Sequence, residues 1–204
     1  MTAEIKIFSD DVPLNFTLLR IKDNIKWNQP GARNLGVSFS KSERIIVSDL
    51  DIIFPENLLE SLIYFIPPRN AIFKFRTFAQ MKEIQPHFNV FFMYKDVFDK
   101  TNGVDEEFCG HYGHDDTHFY FLHKALGTKF YRYSVSNIVH KEHKEVEATQ
   151  HNKLIRDTTH NEAILRRKLD VIESEDGDPM STRSDLYLNF DWEFVKEHSI
   201  EYGI

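Results

Sequence analysis

The sequence predicts an α/β fold: a mixed, mainly parallel sheet flanked by helices. Three observations carry that expectation. Strand-like and helix-like segments alternate along most of the chain, which calls for layers of helix on sheet. Residues 45–53, Ile-Ile-Val-Ser-Asp-Leu-Asp-Ile-Ile, form a β-branched run of the kind buried on both faces in a parallel sheet. Eighteen Phe among 204 residues supply a core filled with aromatics. A chain of this length holds one sizeable core and is short for two.

In chain order, Glu4 to Phe8 alternate and meet the acidic turn Ser9-Asp10-Asp11, a short strand. Phe16 to Ile21 are a second strand, and Gln29-Pro30-Gly31 a loop. Ala32 to Ser40 follow as a helix, with Leu35 and Phe39 on one face. The central strand, 45–53, is stopped by Phe54-Pro55. Glu56 to Phe65 form a helix with Leu58, Leu59, Leu62 and Phe65 inward, ended by Pro67-Pro68. Residues 71–78 alternate as a half-exposed strand, and 88–94 are a buried one. A short helix spans 95–100, then a Gly-punctuated polar loop runs from Val104 to His114. The next helix begins at Asp115 or Asp116, reaches Leu126 and closes on Gly127. Lys129 to Tyr133 are a strand, with Val135 to His140 strand-like after it. A polar helix covers about 148–169, followed by an acidic, loop-like and mobile stretch, Glu173 to Ser184. The aromatic last twenty residues are expected to dock back. Residues 1–145 are thus expected as the functional domain, with 146–204 packing on it.

Composition excludes some classes. A net charge of −7 lacks the basic footprint of a nucleic-acid binder, so no nucleic-acid partner is expected. Cys109 is the sole cysteine, which rules out an intramolecular disulfide and fits a reducing, cytoplasmic setting. No apolar run approaches a membrane span, and Met1-Thr-Ala-Glu does not open a signal peptide, so no integral membrane segment is expected.

Asp49 and Asp51 are the only acids of the central run, at its carboxyl end. In open α/β sheets ligands bind at the carboxyl ends of strands. An Asp-x-Asp pair there is either an acidic turn closing a core strand or a site for a hard cation such as Mg²⁺ or Mn²⁺, which takes oxygen ligands and commonly carries a phosphate.

Three stretches together resemble GT-A-fold glycosyltransferases, over roughly residues 4–145. Gly31-Ala32-Arg33-Asn34-Leu35-Gly36 resembles the Ala-Arg-Asn-x-Gly segment before that superfamily's metal strand. Val47-Ser48-Asp49-Leu50-Asp51-Ile52-Ile53-Phe54-Pro55 is similar to the Ser-Asp-x-Asp-x-x-x-Pro of β-galactosyltransferase-like members. Asn102-Gly103-Val104-Asp105-Glu106-Glu107-Phe108, then Tyr112-Gly113-His114-Asp115-Asp116, resemble the Asn-Gly-Phe segment and the Trp-Gly-x-Glu-Asp segment after it. Tyr112 stands for the usual Trp, Asp115 for the usual Glu, and His87-Phe88-Asn89 for a frequent Gly-Gly pair. Glu4 to Asp11 resembles the family's second strand, so the first strand–helix unit is expected to be missing or substituted.

The resemblance implies a GT-A-like, Rossmann-like fold and an inverting transferase. The enzyme would move a sugar from a nucleotide-diphosphate donor, UDP-sugar favoured, to a saccharide or other hydroxyl acceptor with Mn²⁺ or Mg²⁺. By the same resemblance Asp51 ligates the metal directly, Asp49 meets the ribose or the metal through water, and His140 is a further ligand, with His143 its alternate. Asp11 would meet the base, and Arg33 and Asn34 would meet the diphosphate or brace the loop over the donor. Asp116 would be the catalytic base, ionised at a helix N-terminus, with Asp115, Tyr112 and Gly113 on the acceptor. The residues alone explain Asp115 and Asp116 equally as first-turn helix acids.

Two competitors stand beside this reading. His111, His114, His118 and His123 crowd an acidic loop and suggest a metal-dependent phosphohydrolase. A non-catalytic, truncated GT-A-like sugar-binding module is the other. Trp27 could stack on a sugar or a base, with core packing as its default role, and Cys109 is read as inert.

Overall fold

The computed structural model describes residues 15–79, 81–140 and 155–199. Asp11, the strand expected at 4–8, His143 and the start of the helix expected at 148–169 lie outside the described residues. The chain divides into two units, residues 25–189 and a unit containing residues 15–24 and 190–199.

In the larger unit the elements are α1 (Gln29–Phe39), β2 (Arg44–Val47), β3 (Ile52–Ile53), α2 (Glu56–Tyr64), β4 (Ala71–Ala79), β5 (Lys82–Ile84), β6 (Phe91–Tyr94), α3 (Lys95–Asp99), α4 (Asp115–Ala125), β7 (Lys129–His140) and α5 (Thr159–Glu173). In the smaller unit β1 (Phe16–Ile21) pairs antiparallel with β8 (Trp192–His198), so the aromatic C-terminal stretch finds a strand partner there.

The large unit is a mixed α/β structure around one sheet ordered β2-β6-β4-β7-β3, with β5 hairpinned onto β4. Among the described residues only β4 and β7 run parallel, and the other ladders of this sheet are antiparallel. The expectation of a mainly parallel sheet is corrected accordingly. The central run 45–53 also breaks in two, because Ser48 to Asp51 turn out of the ladder between β2 and β3. β2 lies at one end of the strand order, β3 at the other. Burial on both faces holds for β2, where it comes from helices above and below, but not for β3, whose Ile53 is 49% exposed. Ile45 and Val47 belong to the core on one face with Val37 of α1, while Ile46 packs against the core on the other with Leu58 and Leu62 of α2. Such burial says nothing of a neighbour's direction.

The middle of the sheet is β4, and its alternating sequence is far more buried than alternation suggested, with Ile72 and Phe75 sealed on opposite faces. Phe65, Phe73, Phe75 and Tyr133 meet in edge-on ring contacts, the aromatic core the composition implied. Leu59, expected inward on α2, is 43% exposed. Strand β7 is longer than expected. Its register against β4 jumps from Tyr133 to Asn137, opposite Phe75 and Arg76, so three residues loop out as a bulge. The continuation then pairs His140 with Ile52 of β3.

The stretch expected to be a mobile acidic tail is instead folded. Pro179–Thr182 make a 3-10 turn with Thr182 buried. Buried charges tie this turn and α5 to residues 105–107: Asp105 accepts from Lys168 and Arg183, each at 2.8 Å. Among the described residues no helix is long and apolar enough to cross a membrane.

Candidate functional site

The site is built where the turn 48–51 faces the N-terminus of α4. Pro30 in its first turn suits the start of α1, since proline has no N–H to lose there. One turn on, Arg33 is carried inward with only 6% of its side chain exposed. Its guanidinium spans two motifs. Nη2 meets Asp49 Oδ1 at 3.1 Å, and Nη1 meets Asp115 Oδ2 at 3.2 Å. Asp49 is otherwise filled: Gln29 donates to Oδ1 at 2.7 Å and Asn89 to Oδ2 at 3.1 Å. His87 Nδ1 lies 3.9 Å from the same Oδ2. The loop 87–89 therefore closes over Asp49.

Asp51 is the less satisfied acid. Oδ2 lies 3.2 Å from His140 Nε2, a pair created by the β3–β7 register. Oδ1 is buried with no hydrogen-bond partner. Buried polar atoms are nearly always paired, so each exception needs a reason. Among the described residues five buried side-chain atoms lack partners, and three of them, on Arg33, Asp51 and Asn89, belong to this site. A carboxylate with a free oxygen beside an imidazole suits a divalent cation with oxygen and nitrogen ligands. Asp51 and His140 fit such an ion as two protein ligands. No cluster of three or more His, Cys, Asp or Glu residues is found among the described residues, so remaining positions would fall to a bound anion or water. His87 stands near, its ring 5.4 Å from that of His140. Burial, opposed by Asp49, lowers its pKa and favours the neutral form.

The loop before α4 is shaped by left-handed backbone at Gly113 and His114, with φ of 87° and 70°. Asn161 of α5 holds it. Its amide, fully buried, donates to the carbonyls of Phe108, His111 and Gly113. Asp115 is buried at the first turn of α4, and burial raises its pKa against the opposing charge of Arg33. Asp116, the next residue, is partly exposed, and its Oδ1 accepts from the Thr117 N–H at 2.7 Å. Tyr112 stacks obliquely on Trp27 with ring centres 4.7 Å apart, so this aromatic pair lines the loop.

The structure thus brings together Arg33, Asp49, Asp51, Asp115 and His140. Asn34 does not join them. It is fully buried, with its amide exchanging bonds with Val104 N–H and C=O, both at 2.8 Å, and donating to Glu106. That pins the Asn102-Gly103 turn, which has φ of 53° and 72°, and a Cβ on Gly103 would lie 2.3 Å from the Asn34 Oδ1. Its expected contact with a donor is replaced by this internal role.

The histidines of the phosphohydrolase reading disperse. His118 and His123 are sealed in the core, bonded to Thr182 and to Thr101 and Thr128. Burial lowers their pKa to about 4 and about 3, so both are neutral there at pH 7. His111 stacks on His160 instead. Burial pushes the Cys109 thiol up to about 12, which makes it inert.

The resemblance drew attention to His87-Phe88-Asn89 only as a departure and gave those residues no role, and the sequence reading missed Gln29 and Asn161, whose isolated spacing offers no pattern and which only pairing across the fold reveals. No family model matches this chain, and neither a curated protein nor a solved structure is significantly similar to it.

Proposed function

We propose that the chain is a metal-dependent inverting glycosyltransferase of GT-A-like architecture. It would transfer a sugar from a nucleotide-diphosphate donor to a hydroxyl acceptor. One observation carries the reading: Arg33 joins Asp49 of the Ser-Asp-Leu-Asp turn to Asp115 of the Gly-His-Asp-Asp turn, 82 residues from Arg33. Two motifs that chemistry would need on opposite sides of a sugar are held by one guanidinium. The unpartnered Asp51 oxygen beside His140 adds a fitting cation site.

Asp51 and His140 would hold Mn²⁺ or Mg²⁺, which when bound supplies Lewis-acid charge to the leaving diphosphate. Arg33, Gln29 and Asn89 fix Asp49, and the one lone pair left on its Oδ2 would orient a ribose hydroxyl or a bound water. A cleft of about 1030 Å³ beside α1 and β2, lined by Arg33, Asp49 and Asp51, has room for the nucleotide. Asp116, on the α4 N-terminus, is the base. The acceptor oxygen bonds to the anomeric carbon, that carbon's bond to the diphosphate breaks and the diphosphate leaves with the electron pair, and the hydroxyl proton passes to Asp116. Asp115, held by Arg33, aligns the loop that presents Asp116.

Donor hydrolysis and transfer with the full chain, with and without Mn²⁺, test this. Asp51→Ala should abolish the metal dependence and the Mn²⁺-dependent thermal shift with UDP. Asp116→Asn should keep that shift and lower turnover about 10²-fold or more. Unchanged turnover in both variants overturns the roles, and the absence of any UDP binding with Mn²⁺ overturns the donor site.

A further inference from the structure

On the α4 side of the sheet lies a second cavity, of about 630 Å³. It falls within the usual size of small-molecule sites. Its walls are largely apolar and aromatic, with Phe88, Phe91, Phe119 and Phe130 among them. The charged groups lining it are Lys74 and Asp116. Lys74 is reached from β4, passes 4.8 Å from the Phe91 ring centre and donates to the Phe88 carbonyl. Burial lowers its pKa to about 8, partly offset by the charge of Asp116 and reinforced by Arg33. The amine is thus a donor held against aromatic faces, close enough to Asp116 to feel it.

This distribution selects a ligand class. A single hydroxyl has one proton to donate and lone pairs to accept with, which Asp116 and Lys74 match. A saccharide carries several hydroxyls, and beyond Lys74 and Asp116 the lining offers them only Gln85, Thr117 and Tyr120 among apolar walls, so leaving some of them unpaired against phenyl rings is costly. A flat aromatic body instead gains edge and offset contacts with these rings. We propose that this cavity binds a molecule with an aromatic body and one hydroxyl directed at Asp116 and Lys74. Under the glycosyltransferase reading, on which only this last role rests, that molecule is the acceptor.

The test uses 2-naphthol as probe and methyl glucoside as its saccharide counterpart, titrated onto the full chain without donor and followed by fluorescence and thermal shift. 2-Naphthol should bind and methyl glucoside should not. Thr117→Trp, which fills the cavity, should weaken 2-naphthol about tenfold or more, and Phe88→Ala, on a ring that is 60% exposed and so not needed for folding, by a similar factor. Absence of 2-naphthol binding, tighter binding of methyl glucoside, or 2-naphthol binding unaffected by both Phe88→Ala and Thr117→Trp overturns the proposal. UDP binding with Mn²⁺ is measured in parallel. Its loss with 2-naphthol binding intact sinks the transferase reading alone, and the converse sinks the aromatic cavity alone.

Discussion

Arg33 is the residue on which the site depends most. Its side chain is nearly sealed, and it faces two carboxylates, one of them buried at the start of α4. Removing one partner of a buried ion group leaves the others uncompensated and costs about 3–5 kcal/mol. Arg33→Met is therefore expected to lower unfolding free energy by about 3 kcal/mol or more in urea melts. Adding Asp115→Asn should recover part of that loss, since the stranded charge is then gone. Arg33→Lys should recover little, because one ammonium cannot fork to two carboxylates. If Arg33→Met were as stable as wild type, the bridge would be ornamental and the case for a shared site would weaken. The motif segment 31–36 made Arg33 a candidate, whereas its neighbour Asn34, equally prominent in sequence, turned out to serve the 102–106 turn. Adjacent helical residues point about 100° apart, so one faces the cleft and the other the core, and the string of letters does not say which.

At the scale of elements, α5 acts on the site through Asn161. One side-chain amide gathers three carbonyls of the loop preceding α4. Asn161→Ala would leave those buried acceptors unmet, at about 1–3 kcal/mol. The expected result is a destabilisation of about 2 kcal/mol together with faster amide exchange confined to residues 108–113. Exchange that rises evenly across the sheet would show that Asn161 supports the fold at large and not this loop. Helices and strands themselves were largely legible, because periodicity reports which side of a segment is apolar. Both α2 and α4 fall within a residue of expectation, and Gly127, with φ of 76°, closes α4 as its position suggested. Strand direction was not legible. The run 45–53 looked like a parallel interior strand, yet β2 pairs only with antiparallel β6 among the described residues. The β7 bulge was equally hidden, although it sets the register that brings His140 to Asp51.

For the whole large unit, buried ionisable groups set the response to acid. His118 and His123 have pKa values lowered by burial to about 4 and about 3. An unfolded imidazole takes up its proton near pH 6.5. Between about pH 6.5 and those folded values the unfolded chain binds protons that the folded one refuses, so stability falls as pH drops. Asp105 follows at lower pH. Burial would raise its pKa, but Lys168, Ser184 and Arg183 overcome that and hold it at about 2. Its contribution is full above the unfolded value of about 3.9 and is lost as pH falls through about 2. Melting temperature should therefore decline from pH 7 downward, with a loss of about 3 kcal/mol or more by pH 4.5. A His118→Asn, His123→Gln double variant should show a shallower slope over that interval. A flat profile to pH 4.5 in wild type would mean the two imidazoles are wetter than their packing implies.

The sequence by itself determined the α/β class, the aromatic core, most helix limits and the placing of Asp49, Asp51, Asp115 and Asp116 at element ends. Those follow from local rules: apolar period, proline and glycine conformations, and the cost of burying a charge within an apolar run. Only the tertiary structure decided which acids are satisfied and which are not. Arg33 pairs with both Asp49 and Asp115, while Asp51 keeps an unpaired oxygen beside His140. It also decided that His118 and His123, two of the crowded histidines, go to the core, and that Lys74 and Asp116 line one aromatic cavity. Each of these depends on partners far apart in the chain, whose meeting is fixed by strand register and helix rotation, and neither is written in local composition.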